Sequence, residues 1–466
     1  MTAKALDNDA LVSRLRRRVS RERLLSGLRD AAESVGAELY LVGGYVRDAA
    51  FGQVTADIDL VAGHGCAALV RRLRSRWKTR GHRFRKRGVT TWRLRAPGHL
   101  VDLVDASRRG IERDLRRREL TINAIAFDLR EGVLFDPLRG CVDLRAGRLR
   151  PPREDAFHAD PLRALRLCRF MAQLPEFRPT AAALRAAAAV ATRLRRAPVE
   201  RVRQELDKLL LARDPRRGLA ALNELGLRRA VLPELEATER CVAGQGRPDV
   251  WTHTIDAIEL GARSPRLPGA RAVRAEVDRL VLFWALLLHD ISKPETLATA
   301  DDGRPTFHGH EVLGEGRSDA LLRRLRSPTA QRRRVCRLVR QHLRPGHLAD
   351  AGAPSRGMRR LVRDAQDDLP LLVLHAACDA RASGSPDAAA RWRRLSRVLR
   401  SLLALQERAR RQPLPRLVDG RDLMRVLGLP PGPRVGRLLE RVRRGQEEGK
   451  IGTRRQALAF LRRLRD

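Results

Sequence analysis

Aromatic side chains are scarce in this chain of 466 residues: Phe, Trp and Tyr together make up 4%, and only two are tyrosines. So little ring surface argues against recognition mainly by stacking on bases. Cysteines are few and scattered. The six of them (Cys66, Cys141, Cys168, Cys241, Cys336, Cys378) form no CxxC pair. That excludes a disulfide framework or a thiolate zinc site, and fits reduced thiols in a cytoplasmic protein. Long apolar runs are missing as well. None reaches the ~18 residues that a membrane-spanning helix needs. The longest, Leu280 to Leu288, stops at His289-Asp290 and reads as a buried helix. The opening segment, MTAKALDNDALVSRLRRR, lacks the apolar core of a signal peptide. Acidic charge is short: 55 Asp+Glu face 95 Lys+Arg, a formal net charge of +40. Arginine is what the chain has in quantity, and its planar fork suits phosphate. A polyanionic partner, nucleic acid first, is the natural reading. A GC-rich coding bias toward Arg, Ala, Leu and Gly is a second source of the same excess. Hydrophobic residues, at 43%, suffice for ordinary cores.

The chain changes character along its length. Residues 1–35 are charged and helix-compatible, an N-terminal extension. Residues 36–150 hold short β-rich runs bounded by Gly, Pro or charge: Glu38 to Val42, Asp57 to Val61, Val89 to Leu94 and Leu100 to Val104. Tyr45 to Phe51 reads as a helix between the first two. Past Pro151-Pro152, apolar residues recur at helical spacing to the end, with Pro198 opening a helix over Val199 to Leu211. Ala181 to Ala191 is ordinary helix, and no repeat of fixed period is present. The expected architecture is an α/β head on a long all-α remainder: neck helices over 151–215, a body over 216–400 and a tail over 401–466.

Chemistry concentrates first in the head. Leu41-Val-Gly43-Gly44-Tyr-Val-Arg47-Asp48 runs strand, Gly-Gly, helix. The two glycines let backbone approach a ligand, the helix start favours phosphate, and Arg47 in its first turn can reach the same anion. Asp57-Ile58-Asp59 follows on a strand, where i and i+2 share a face. Two carboxylates there repel unless a cation lies between them, and Mg²⁺ takes hard oxygens and shares them with phosphates. An isolated pair of this kind is more often two solvated aspartates on an edge strand; the preceding Gly-Gly-helix unit shifts the reading to metal. Further on, Arg163, Arg166 and Arg169 recur every three residues along one side of a helix. Such a stripe needs anions nearby or is a solvated basic face.

The run LVGGYVRDAAFGQVTADIDL resembles the signature of class II tRNA nucleotidyltransferases and bacterial poly(A) polymerases, within the DNA polymerase beta superfamily. Asp114 to Ala124, with Arg117-Arg118 and Thr-Ile-Asn-Ala, is similar to the second family motif, and Asp160-Pro-Leu-Arg163-Ala-Leu-Arg166-Leu-Cys-Arg169-Phe170 to the third. The resemblance implies a polymerase-beta-like palm with a small mixed sheet, Arg118 as a nucleotide contact, Arg47 and the Arg166/Arg169 stripe balancing the triphosphate charge with it, and Asp160 and Arg163 reading the base edge. Asp can accept from the exocyclic amine of C or A while Arg donates. It places Asp102 as a third carboxylate beside Asp57 and Asp59. Two departures stand out: Glu119 where the family has Asp, and Ala159 where it has Glu. Val199 to Leu210 resembles a further Glu-Arg-x-x-x-Glu helix, read here as bracing, with Arg201 and Glu205 an i, i+4 pair. An Asp419 to Leu439 segment resembles the family's C-terminal element.

In the body, His253, His289-Asp290, His308 and His310, and Asp379 follow one another in an order that resembles the HD superfamily of metal-dependent phosphohydrolases, over about 250–385. That resemblance implies a transition metal (Ni, Mn or Co) on His253, His289, Asp290 and Asp379, activating water against a phosphoester. The implied activity is template-independent addition of CCA to the tRNA 3′ end from CTP and ATP, with Mg²⁺ as cofactor and tRNA as partner. Addition of CC only, of A only, or of poly(A) stays open. So does a hydrolase or RNA-binding protein with an inactive head.

Overall fold

A computed structural model describes residues 7–53, 58–86, 88–242, 248–383, 388–411, 415–447 and 449–463. The chain divides into two compact units, residues 1–231 and 232–466.

The first unit opens with the helices Asn8–Arg21 and Arg23–Glu33. Asp7 caps the first by accepting from the Ala10 amide, and Leu11, Leu15 and Val19 bury the stripe that their four-residue spacing creates. Seven strands follow: β1 (Leu39–Val42), β2 (Ile58–Ala62), β3 (His82–Lys86), β4 (Val89–Ala96), β5 (His99–Asp105), β6 (Ala126–Asp128) and β7 (Leu134–Phe135). They form one mixed sheet in the order β3-β4-β5-β2-β1-β6-β7. β2 and β5 run parallel, and the other neighbours are antiparallel. The expected α/β head is present. Four of the strands coincide with the β-rich runs of the sequence; β3, β6 and β7 do not. β3 reads His-Arg-Phe-Arg-Lys, without the apolar alternation that marks a strand alone, and it is a strand because it pairs along its full length with β4.

Register decides where the carboxylates go. Asp59 stands opposite Val42 of β1 on one side and Asp102 of β5 on the other. It is exposed on a strand whose other residues, Ile58, Leu60, Val61 and Ala62, are buried. Around it Val42, Val61, Ala106, Leu115, Ala124, Ala126 and Leu138 form a buried cluster that fixes the strands. Beyond the sheet come the helices Leu162–Gln173, Ala181–Ala189, Val199–Leu210 and Pro215–Glu224.

Among its described residues the second unit is helical apart from a short hairpin over 298–306 and an isolated bridge between Val242 and Asp249. The helix Glu276–Leu288 buries every residue from Val281 to Leu288, as its unbroken apolar run demands. Val250–Arg263, Thr329–Gln341 and Leu369–Ala382 pack against it, His310–Arg324 packs on Thr329–Gln341, and Ala388–Arg411 packs on Leu369–Ala382. The last segment holds Gly420–Leu427, Pro433–Glu447 and Arg454–Arg462, packed on their own cluster of Val418, Leu423, Val442, Ile451, Ala457 and Leu461. Gly428, at φ 66°, ends the first of these in the left-handed region that glycine adopts without strain. All six cysteines are free and buried. Among the described residues no helix is long and apolar enough to cross a membrane.

Candidate nucleotide and metal sites

The Gly43-Gly44 turn does what its sequence promises. Gly43 sits at φ 75°, between β1 and the helix Gly44–Ala50. A Cβ added there would lie 2.9 Å from both Arg118 Nη1 and Asp59 Oδ2, so a guanidinium and a carboxylate converge over a bare backbone. Asp57 lies outside the described residues, and the Asp57/Asp59 pair is carried here by Asp59 alone. Asp102 is its register neighbour on β5, close enough across adjacent strands for both to face one cation. Two hard oxygen donors on one face fit Mg²⁺. Arg93 of β4, opposite Asp102 in register, holds that carboxylate with two bonds, Nε to Oδ1 at 2.7 Å and Nη2 to Oδ2 at 2.6 Å.

A cavity of about 510 Å³ opens beside this turn, lined by Asp59, Arg118, Glu119, Asp160, Arg163 and Arg166 among others. That is an ordinary size for a small-molecule site. It gathers residues from β2, the 111–123 segment and the helix Leu162–Gln173, which the sequence singled out separately. Phe84, Arg117, Arg153 and Ala159 also line it.

The arginine stripe finds its anion within the protein. Glu205, on the helix Val199–Leu210, is buried and accepts from Arg166 Nε at 2.8 Å, with Arg169 Nε also 2.8 Å away. Arg169 further bonds Gln173 and stacks on Phe170, 4.2 Å from the ring centre, and it does not line the cavity. This corrects the expectation of an Arg201–Glu205 pair: Arg201 reaches Asp160 at 3.2 Å instead, and Glu205 clamps the neighbouring helix. Burial pushes the Glu119 carboxyl up, but Arg166, Arg118 and Arg169 around it bring it below its usual range. Glu119 accepts from Asn123, whose own Oδ1 accepts from Arg47 at 2.9 Å. Arg47 is also tied to Asp48 at 2.7 Å, and like Arg169 it does not line the cavity. Arg163 donates to the carbonyls of Ala156 and Arg117, bracing the cavity wall.

The second unit brings His253, His289, Asp290 and Asp379 together and adds His310 and His342. Their ligand atoms fall into two groups that could hold a metal: His253, His289 and Asp379, and Asp290, His310 and His342. Asp290 lies between them. Its Oδ2 is 3.1 Å from His289 Nε2 and 3.9 Å from His253 Nε2, and its Oδ1 is 3.3 Å from His310 Nε2. His289, His310 and His342 each direct Nδ1 at the carbonyl three residues upstream, of Leu286, Phe307 and Val339, at 2.7–2.8 Å. A proton held there leaves each Nε2 lone pair pointing inward, as ligation requires. The Nε2 atoms of His310 and His342 are only 3.2 Å apart, so two lone pairs confront each other unless a cation or proton lies between. Burial would push His310 down, but Asp290 beside it raises it, while His342 is driven well below its usual value by burial and by His289. Asp290, although burial pushes it up, is held well below the carboxylate range by His289 and Lys293, whose Nζ is 2.6 Å away. Despite these short separations, neither Asp290 oxygen nor His289 Nε2 has a well-formed hydrogen bond. Buried polar atoms of this kind fit a metal site. A cavity of about 340 Å³ opens on the cluster, lined by His253, Lys293, His342, His347, Asp379 and Trp392 among others. His308 belongs to neither group. His310 carried a signal in its Phe-His-Gly-His-Glu setting; His342, at the end of an arginine-rich helix, carried none.

A Gly-Gly turn beneath a strand carboxylate, a cationic cavity against it and a helical unit with an HD cluster together define a polymerase-beta-type nucleotidyltransferase joined to an HD domain. Family profiles agree: "Poly A polymerase head domain" matches residues 39–150, "Probable RNA and SrmB- binding site of polymerase A" residues 176–238, and "HD domain" residues 250–382. The A-adding tRNA nucleotidyltransferase of Deinococcus radiodurans is 38% identical over 442 residues, covering 91% of this chain and 94% of that protein. The CC-adding tRNA nucleotidyltransferase of Thermus thermophilus is 33% identical, covering 91% and 93%. The chain belongs to the tRNA nucleotidyltransferase family. The fold is shared with the Thermotoga maritima CCA-adding enzyme complexed with tRNA, at a TM-score of 0.65 and 19% identity, over 99% of this chain and all of that one.

Proposed function

We propose that the protein adds C, C and A to the 3′ end of tRNA from CTP and ATP, without a template and with release of pyrophosphate. The observation that carries this reading is the convergence of Asp59, Arg118, Asp160, Arg163 and Arg166 on one cavity beside Gly43. Bound Mg²⁺, with Asp57, Asp59 and Asp102 as ligands, would supply activation of the terminal ribose hydroxyl and charge neutralisation at the phosphate. The chain's own groups do the rest. Gly43 allows close approach, and Arg118, whose buried Nε lacks a hydrogen bond, offers its charge to the triphosphate. Arg166 adds a second cation, shared with Glu205 and Glu119. Asp160 accepts from the exocyclic amine of C or A and Arg163 donates to the ring edge, which requires Arg201 to share Asp160 and a wall carbonyl to share Arg163. Positioning and charge suffice; no covalent protein intermediate is needed. The tail, residues 401–466, grips tRNA phosphate through its arginines, with binding that falls steeply with salt. We infer a cytoplasmic setting from the proposed tRNA substrate.

Two narrower readings each rest on one observation. Addition of A alone is favoured by 38% identity along 94% of a relative named A-adding. Hydrolysis of phosphoesters at the HD cluster, with a transition metal such as Ni²⁺, Mn²⁺ or Co²⁺, is favoured by the inward-facing Nε2 atoms around Asp290. Transcripts ending before the first C, after CC and after CCA, incubated with each labelled nucleotide, separate the cases. CTP then ATP incorporation supports full addition, and ATP on the CC end alone supports A addition. Long ATP runs indicate a poly(A) polymerase, and phosphate release from a 2′,3′-cyclic end without incorporation indicates a hydrolase.

A further inference from the structure

Arg93 makes two contacts that no catalytic reading explains. Besides its two bonds to Asp102, its guanidinium stacks over the ring of Phe84, 5.7 Å from the centre. Phe84 stands on β3 opposite Thr91, two residues along β4 from Arg93, so all three share one face of the sheet with Asp102 and Asp59. That face is the one turned to the nucleotide cavity, which Phe84, Thr91 and Asp59 line together. Phe84 is 41% exposed, and it is the cavity's aromatic lining residue in a chain with few rings. An exposed ring at the mouth of a cationic cavity offers a nucleobase a π-face, and a guanidinium against it is poised for a phosphate.

We propose that Phe84 and Arg93 form the contact for the 3′-terminal segment of the acceptor RNA, and that Arg93 links this contact to the catalytic carboxylate. With no RNA bound, Arg93 closes Asp102. When a base stacks on Phe84, Arg93 turns from Asp102 to an RNA phosphate, and the Asp102 carboxylate becomes available to a divalent cation. Arg93 is therefore a positioning residue, acting through Asp102, and RNA and cation binding become reciprocally coupled. This inference rests on the nucleotidyltransferase reading of the head and adds the route by which the RNA end prepares it.

The test uses the full-length protein, Mn²⁺ binding followed by electron paramagnetic resonance, and an acceptor-stem minihelix ending in a 3′-deoxynucleotide. The head component of Mn²⁺ binding is the part that Asp59→Ala removes, which separates it from the HD cluster. Arg93→Ala should tighten that component about two- to fivefold without RNA, the range for losing a half-exposed ion pair. It should also reduce the slope of log affinity for the minihelix against log salt by about 0.7, one single-strand phosphate contact. The minihelix should tighten Mn²⁺ binding in the wild type and do so much less in Arg93→Ala. Phe84→Ala should weaken minihelix binding about fivefold or more, while Phe84→Trp, which keeps the stacking surface, should not. The inference is overturned if Arg93→Ala leaves the Mn²⁺ component and the salt slope unchanged, or if the minihelix does not alter Mn²⁺ affinity in the wild type. If no component depends on Asp59 and Asp59→Ala still incorporates nucleotide, the reading of the head itself falls, and this inference with it.

Discussion

Replacing Glu205 with Ala should be among the most damaging single changes in the first unit. The carboxylate is buried, and its two oxygens each lie 2.8 Å from a guanidinium, of Arg166 and of Arg169. Removing it leaves Arg169, whose side chain is only 13% exposed, without its carboxylate partner and beside Arg166 and Arg47, with Arg166 at 31% better able to reach water. Breaking a buried pair from one side costs about 3–5 kcal/mol. Discounting for the partial exposure of Arg166 leaves about 3 kcal/mol. For a unit of 231 residues that corresponds to a fall of about 6–12 °C in melting temperature. Scanning calorimetry on full-length wild type and Glu205→Ala measures it, following the transition that contains the head. The double change Glu205→Leu with Arg169→Leu should recover much of the loss, because it removes the charge as well as its partner. A loss below about 1 kcal/mol, the range of an exposed ion pair, would refute the view that Glu205 locks the arginine helix in place.

Asp59→Ala should lower nucleotide incorporation at least about a thousandfold while leaving tRNA affinity within about twofold, since one carboxylate contributes to charge stabilisation and not to the bulk of RNA binding; equal loss of both in gel-shift and incorporation assays would mark a structural residue. Chelation should lower the melting temperature of the second unit, and adding back a divalent metal at about a hundred times its Kd should restore about 2.7 kcal/mol; a His310→Ala variant with unchanged metal content, by elemental analysis, would remove that histidine from the ligand set. His375, buried beside His289 and His342, is pushed from 6.5 down to about 3, first by burial and then by the charge of His289. The unfolded chain takes up a proton below 6.5 that the folded protein refuses until about 3, so stability falls as pH drops through that window, by about 1.4 kcal/mol per pH unit for this group. Urea titrations of chelator-treated protein between these limits should show a steeper decline in wild type than in His375→Phe, and parallel curves would rule the group out.

What was legible in the sequence is what is local. The Gly-Gly turn, four strands and the buried helix ending at His289-Asp290 follow from short-range pattern, and each is present. The HD candidates His253, His289, Asp290 and Asp379 follow from a resemblance carried by their order along the chain, and the structure divides them between two neighbouring groups that could hold a metal, Asp290 going with His310 and His342. What was not legible depends on pairing between distant segments. β3 is too basic to look like a strand until β4 is beside it. The stripe of Arg166 and Arg169 suggested an external anion, because nothing local shows that Glu205 arrives from another helix to meet it. Arg93 looked like any other surface cation; only register puts it against Asp102. His342 is one histidine at a helix end, and its partner His310 is 32 residues away.

The parallel pairing of β2 with β5 has a consequence for how this head tolerates change. The two acidic strands meet directly, while the chain between them passes through a helix over Cys66–Arg76 and then the β3–β4 ribbon, which extends the sheet on the far side of β5. Residues gained or lost in that excursion alter the ribbon's reach without shifting either acid. A single residue inserted inside either acidic strand would turn its carboxylate to the opposite side. Variation in which ends such an enzyme accepts is thus free to accumulate toward the ribbon's tip, and it reaches the acids through the single Arg93–Asp102 pair.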